Sequence, residues 1–179
     1  PGANQAAQRL FFALWPNAKL QAALHLAGQS LQKAFGGRVV RTENIHLTLA
    51  FLGSVPVERI NELVDIGGSV MVRRFDLKMT ETGCWKRSAV GWIAPESMPE
   101  PLKDLVLELR SRLLAAGFRV DDRPFAPHVT LLRKAKCRTQ PTRLQTPLDW
   151  HIDDFVLMRS DTLESGVEYS KIGGWKLAA

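Results

Sequence analysis

Two segments of this chain repeat one plan, and the repetition constrains the fold more than any other feature of the sequence. In each segment an amphipathic helix is predicted to end at a glycine, and a strand carrying His-x-Thr follows a turn-rich stretch. His46 lies 11 residues after Phe35, the predicted end of the first helix, and His128 lies 12 residues after Ala116, the predicted end of the second. Units of this length are too long for a solenoid repeat, so we predict two similar lobes that face one another.

Hydrophobic periodicity predicts the remaining elements. The predicted helices span 17–35, 56–71 and 99–116, and the predicted strands span 9–15, 45–52, 75–79, 89–93, 127–132, 154–159 and 168–172. The proline- and threonine-containing segment 136–147 is expected to be a loop. Residues 1–8 are small and polar and are expected to form a loose tail, so that residues 9–179 make up a single bilobal domain.

Composition and charge narrow the class of protein. No apolar run is long enough for a membrane span and the first residues do not resemble a signal peptide, so we expect a cytoplasmic monomer without membrane contact. The formal net charge of +6 favours anionic partners, although charge alone is weak evidence for nucleic-acid binding. Cys84 and Cys137 lack CxxC spacing, so we expect reduced thiols and neither a disulfide framework nor a zinc site.

The two His-x-Thr sequences have a shared geometry. Side chains at positions i and i+2 of a strand point to the same face, so His46 lies beside Thr48, and His128 lies beside Thr130. An imidazole next to a hydroxyl, both on a rigid strand, suits proton transfer beside a bound phosphate oxygen. A single histidine on an apolar strand is more often structural. The duplication in matching surroundings is what favours an acid–base pair.

The sequences around these pairs resemble a known superfamily. His46-Leu-Thr-Leu-Ala-Phe-Leu-Gly53 and Arg123-Pro-Phe-Ala-Pro-His-Val-Thr-Leu-Leu-Arg133 are similar to the two signature motifs of the two-histidine phosphoesterases. The opening Arg9-Leu-Phe-Phe-Ala-Leu-Trp-Pro16 and the closing segment from Glu168 to Trp175 resemble its bacterial RNA 2′,3′-cyclic phosphodiesterase branch, also called 2′-5′ RNA ligase. The resemblance therefore covers nearly the whole chain.

This resemblance implies an α+β fold in which two pseudo-symmetric lobes, with antiparallel sheets, surround a central cleft and carry their helices outside. It implies hydrolysis of RNA 2′,3′-cyclic phosphate ends to 2′-phosphomonoesters, with no metal and no cofactor. By the same resemblance His46 donates a proton to the departing 3′ oxygen, and His128 takes a proton from the attacking water. Thr48 and Thr130 are then expected to bind the phosphate.

Two further residues are candidates for substrate binding. Arg133 corresponds to a substrate-binding arginine of this branch, but strict alternation from His128 places it on the opposite face unless the strand bulges or ends. Phe11 and Phe12 alternate along the first predicted strand, so one of them can face the cleft and stack on a nucleobase. We select Phe12, with a place in the core as its alternative.

Several functions remain open. The same acid–base pair could serve a 2′-5′ RNA end ligase or a 2′-5′ phosphodiesterase, and the basic charge also suits a catalytically idle RNA-binding module. A metal hydrolase is disfavoured because two histidines provide only two ligands. RNA ends or cyclic nucleotides are the expected partners in each phosphoesterase alternative.

Overall fold

The computed structural model describes residues 6–138 and 142–179, in which the chain forms nine β-strands and three α-helices. The strands are β1 (Ala7–Leu14), β2 (Arg38–Val39), β3 (Leu47–Pro56), β4 (Phe75–Trp85), β5 (Val90–Pro95), β6 (Val129–Arg133), β7 (Thr142–Ile152), β8 (Asp154–Leu163) and β9 (Gly166–Lys176). The helices are α1 (Ala18–Phe35), α2 (Ile60–Ser69) and α3 (Glu100–Ala115), and short 3-10 turns cover Thr42–Asn44 and Val57–Arg59.

All strand pairings are antiparallel, and they divide the molecule into two lobes. The first lobe contains β3, β1, β8 and β9 in that order, and the second contains β6, β5, β4 and β7, with β2 added beside β6. The lobes join where β3 pairs with β6 through one register pair, Leu47 opposite Val129. The predicted α+β, bilobal architecture is confirmed. Its two sheets meet edge to edge at the middle of the molecule.

The helices pack against this sheet, and two of them, α1 and α3, each pack against the lobe opposite to that of the strand they follow. α1 follows β1 of the first lobe but packs against β5, β6 and β7 of the second, while α2 and α3 pack against strands of the first lobe. The N-cap prediction for α1 is confirmed, because Asn17 Oδ1 accepts a hydrogen bond from the Leu20 amide at 2.9 Å. Gly36 ends α1 at φ 62°, a conformation that glycine adopts without a Cβ clash.

Two predictions about the chain after β6 are wrong. The expected loop over 136–147 overlaps β7, which starts at Thr142 and pairs along β4. Most of the outer half of β7 is exposed and carries no apolar alternation, so only its pairing with β4 makes it a strand. Cys84 and Cys137 form a disulfide, since the end of β4 lies beside the segment that follows β6 and brings the two Cα atoms to 5.4 Å.

The predicted tail lies mostly outside the described residues. Residues 1–5 are among those not described, and β1 begins at Ala7, two residues earlier than the predicted strand. No helix in the described part of the chain combines the length and the apolar character that a membrane crossing requires. Cytoplasmic location and a monomeric state stay predictions. The disulfide does not favour the former, because disulfides are rare in the reducing cytosol.

Candidate active site

The junction between the lobes brings the two His-x-Thr pairs together. Leu47 and Val129 face each other across β3 and β6, and both are fully buried in the core. Their sequence neighbours therefore point to the opposite face of the sheet. Those neighbours are His46, Thr48, His128 and Thr130. In an antiparallel pair this register sets His46 beside Thr130 and Thr48 beside His128, so the histidines lie diagonally with a threonine next to each.

Each imidazole is held by the same backbone contact. His46 Nδ1 lies 2.7 Å from the carbonyl oxygen of Asn44, and His128 Nδ1 lies 2.8 Å from that of Ala126. Because a carbonyl oxygen only accepts, Nδ1 must donate in both rings, which leaves Nε2 as the atom that can exchange a proton. His46 Nε2 lies 3.1 Å from Thr48 Oγ1, so the motif hydroxyl is already in hydrogen-bond contact with the reacting nitrogen.

Aromatic rings surround the two histidines unequally. The Trp15 ring stacks on the His46 imidazole, with centroids 4.8 Å apart and planes 3° from parallel. Phe11 and the edge-on ring of Tyr169 lie 5.1 and 5.2 Å from the same imidazole. His128 contacts the ring of Trp85, with centroids 4.6 Å apart and planes at 74°, and no second aromatic ring among the described residues. His46 is therefore the more enclosed of the two.

This enclosure changes the proton affinity of both rings. Burial lowers the pKa of His46 from 6.5 to about 4, because the charged imidazolium loses water, and the nearby Arg133 and His128 lower it further. Burial likewise lowers the pKa of His128, with Arg133 as an additional cause. The hydrogen bonds to the backbone carbonyls act in the opposite direction. Without an anion in the cleft, both histidines are thus neutral at pH 7.

Arg133 reaches the cleft through a β-bulge in β6. Thr130 pairs with Trp92, but the next pair joins Leu132 to Gly91, so β6 contains one extra residue. Leu131 and Leu132 are consequently both buried, and the alternation of faces changes after them. Arg133 then lies on the cleft side, as the resemblance implies, although strict alternation predicts the other face.

The selection of Phe12 for the cleft is wrong. Its side chain is fully buried in the main core, 6.3 Å from the Phe155 ring and 6.0 Å from the Trp175 ring. Phe11 is the residue that lines the cleft, beside His46. β1 lies between two other strands, and side chains pack on both of its faces. The alternation of side chains along β1 therefore could not show which phenylalanine packs under the helices.

A cavity of about 540 Å³ extends from this site along the first lobe, and it is large enough for a nucleotide. His46, Thr48, Thr130 and Arg133 line it, and His128 lies outside its lining. A bulge in β3 between Thr48 and Ala50 places Phe51 on the same face as Thr48. The cavity lining also includes Arg9, Arg38, Arg41, Phe51 and Tyr169, none of which the sequence patterns predicted as a site residue. The arginines close together near residue 40 could have indicated two of these residues, Arg38 and Arg41, as candidates for binding an anion.

The described residues, 6–138 and 142–179, contain no group of three or more His, Cys, Asp or Glu side chains arranged to hold a metal ion. A reaction without metal or cofactor nevertheless remains a prediction. The chemical groups of the site itself are two imidazoles, two hydroxyls and a guanidinium, a set suited to an anionic ester.

Comparison with known proteins agrees with this geometry. The family model of LigT-like phosphoesterases matches twice, at residues 14–92 and 93–169, as expected for a duplicated plan. The RNA 2′,3′-cyclic phosphodiesterase of Escherichia coli (strain K12) is 32% identical over 173 residues, which are 95% of this chain and 97% of that protein. The enzyme of the same name from Thermus thermophilus is 27% identical, over 94% of this chain and 90% of that protein.

Solved structures show the same relationship. The crystal structure of E. coli LigT complexed with 3′-AMP superposes with a TM-score of 0.90 at 31% identity, covering 97% of this chain and 100% of that one. The family-model match spans both lobes, and the similarity to this structure extends over nearly the whole chain. This protein therefore belongs to the LigT-like phosphoesterase family.

Proposed function

We propose that this protein is an RNA 2′,3′-cyclic phosphodiesterase that opens the cyclic phosphate to a 2′-phosphomonoester. The observation that carries the proposal is the register pair Leu47–Val129, which sets two His-Thr pairs on one face of the sheet. The names of the relatives from E. coli and T. thermophilus support the same activity. The bound 3′-AMP of the E. coli structure supports a nucleotide ligand.

In the proposed reaction the phosphate lies between the imidazoles. His128 Nε2 takes a proton from a water molecule, whose oxygen attacks phosphorus opposite the 3′ oxygen. The bond from phosphorus to the 3′ oxygen breaks, and His46 Nε2 gives its proton to that oxygen. The phosphate stays on the 2′ oxygen. In this proposal Thr48, Thr130 and Arg133 donate hydrogen bonds to the other phosphate oxygens, where negative charge is concentrated in the transition state.

The acid must be protonated, although burial favours the neutral form of both histidines. A cyclic phosphate carries one negative charge, and its position between the rings favours the imidazolium form by direct attraction. The stacked Trp15 ring also favours a cation on its face. We therefore propose that substrate binding raises the pKa of His46 and that a proton is taken up with the substrate.

The pH dependence follows from these directions. The rate falls as pH rises above the pKa of the acid, and it falls as pH drops below the pKa of the base. Since burial lowers both pKa values in the free protein, kcat/KM for a cyclic nucleotide should peak below pH 6.5, the ordinary imidazole value. The peak of kcat should lie at higher pH, because kcat reports the complex with the anion. Steady-state kinetics over the pH range test this, and coincident peaks near neutral pH would contradict it.

The product identifies the activity. An RNA ending in a 2′,3′-cyclic phosphate is incubated with the protein, and the phosphate position of the product is read by phosphorus NMR or by chromatography against 2′- and 3′-phosphate standards. We expect the 2′-phosphate alone. Hydrolysis of a 2′-5′ linkage, or joining of RNA ends, would instead favour the related phosphodiesterase or ligase activities. Binding of the RNA without any reaction would favour an RNA-binding module.

A further inference from the structure

Two arginines lie directly opposite each other at the rim of the cavity. β2 pairs with the end of β6, and in this register Arg38 faces Arg133. Side chains in directly opposite positions have Cβ atoms about 5 Å apart, and like charges there destabilise the sheet. Both arginines line the cavity and both are exposed to solvent. A pair of like charges at this position is stabilised when an anion binds between or beside the side chains.

Arg41 adds a third cation to this rim. It follows β2 and lines the same cavity, where its guanidinium donates a hydrogen bond to the carbonyl oxygen of Ser165, in the turn between β8 and β9. That contact holds the side chain across the cavity, and four N–H groups of the guanidinium remain to bind a ligand. Arg38, Arg41 and Arg133 are called the arginine rim below.

The arginine rim has no acidic partner in the part of the chain that the structure describes. Among the described residues, no carboxylate oxygen lies within 4.0 Å of a guanidinium nitrogen of Arg38, Arg41 or Arg133. Arg59 and Arg143, by contrast, pair with the carboxylates of Glu62 and Glu96. The rim is therefore a concentration of positive charge that is left for a ligand.

The single negative charge of a cyclic phosphate does not explain why three arginines lie together at the rim. Arg133 lies on the cleft face of β6 and lines the cavity together with His46 and Thr130, so it lies near the reacting phosphate. Arg38 and Arg41 lie beyond it, on β2 and the turn that follows. In an RNA strand the next negative charge after the cyclic end is the phosphodiester on the 5′ side of the terminal ribose. Ser160 and Thr162 on β8 also line the cavity, and their hydroxyl groups can donate hydrogen bonds to the same RNA.

We propose that Arg38 and Arg41 bind the phosphodiester that joins the terminal nucleotide to the one before it, so that the protein prefers oligonucleotide ends to cyclic mononucleotides. This inference rests on the proposed function and names its substrate class. It predicts that a second phosphate, rather than a second base, provides the preference, since a guanidinium binds phosphate oxygens through two parallel hydrogen bonds.

Three substrates separate these contributions: a nucleoside 2′,3′-cyclic phosphate, the same compound with a 5′-phosphate, and a dinucleotide ending in a 2′,3′-cyclic phosphate. We expect KM to fall about 10-fold or more from the first to the second, with the third similar to the second, because a hydrogen bond to a charged group contributes enough for such a change. Arg38→Gln and Arg41→Gln should each remove most of this difference. Arg74→Gln, which removes an exposed arginine away from the cavity, should keep the wild-type ratio.

The outcomes are distinguishable. The 5′-hydroxyl mononucleotide tests the two histidines and the reacting phosphate alone, so its lack of hydrolysis together with that of the other two substrates would overturn the proposed function and this inference with it. Hydrolysis of all three with equal KM, or a KM ratio that Arg38→Gln and Arg41→Gln leave intact, would overturn only the inference. A preference for the dinucleotide but not for the 5′-phosphate would also overturn it, and would point to stacking on Phe51.

Discussion

Alanine in place of His46 or His128 is expected to lower kcat on a cyclic phosphate about 10²- to 10⁴-fold, the usual contribution of a general acid or base. Both side chains lie on the cleft face while their strand neighbours Leu47 and Val129 are buried, so removal of either imidazole leaves the main core under the helices in place. Circular dichroism and thermal unfolding should therefore resemble those of the unchanged protein. The measurement is single-turnover and steady-state hydrolysis of a nucleoside 2′,3′-cyclic phosphate.

A matched control is available on the other side of the second lobe. His151 lies on β7, exposed, with Nδ1 in contact with Asp76, and it lines no part of the cleft. His151→Ala should keep the activity of the unchanged protein. The double variant lacking His46 and His128 should lose less than the product of the two single losses, because the two imidazoles act as one unit. Additive losses in free energy would mean that the histidines act independently.

The two roles can be separated by the leaving group. An aryl phosphodiester such as bis(4-nitrophenyl) phosphate releases a phenolate that needs no proton. On this substrate His46→Ala should lose far less activity than on the cyclic phosphate, whereas His128→Ala should lose a similar amount on both. Equal rescue of the two variants would contradict the assignment of His46 as acid and His128 as base. Full activity of either variant on the cyclic phosphate would contradict the proposed mechanism.

Phe12→Ala is expected to lower the free energy of unfolding by about 3–5 kcal/mol, the usual cost of replacing a buried phenylalanine by alanine. The ring is fully buried against Phe155 and Trp175, so its removal leaves a cavity between β1 and the helix-covered core. For a chain of this size the melting temperature should fall by about 2–4 °C per kcal/mol. Thermal and urea unfolding measure the change.

The control for this prediction is a phenylalanine with the opposite exposure. Phe51 is 47% exposed and contacts the guanidinium of Arg9, so Phe51→Ala should destabilise the protein by about 1 kcal/mol or less. Phe12→Ala should leave KM for a cyclic mononucleotide close to that of the unchanged protein at low temperature. A stable Phe12→Ala variant with a raised KM would restore the nucleobase contact that the sequence analysis assigned to this residue.

Local patterns predicted most of the elements because their physical causes are local. Asn17 and Gly36 delimit α1 through an N-cap hydrogen bond and a positive φ, and apolar spacing of three and four marks the faces of α1 and α3. The i, i+2 rule likewise put His46 with Thr48 on one face. These predictions needed only the geometry of a single helix or strand.

The errors and omissions arise from contacts between segments distant in sequence. β7 is a strand because β4 pairs with it, and Cys84 meets Cys137 because β4 ends beside the segment after β6, across a sequence separation of 53 residues. The arginine rim forms because β2 pairs with the end of β6. None of these pairings is visible in the composition or the periodicity of either partner alone.

The duplicated plan, the two His-Thr pairs and the family resemblance could all be read from the sequence, since each depends on residue order within a short segment. Which faces of the strands meet depends on contacts in the folded protein. The bulge in β6 turned Arg133 toward the cleft, and the larger core under the helices took Phe12 and left Phe11 beside His46. The local conformational energy of a strand is the same whichever of its two faces is buried. Only packing against the rest of the chain selects the buried face.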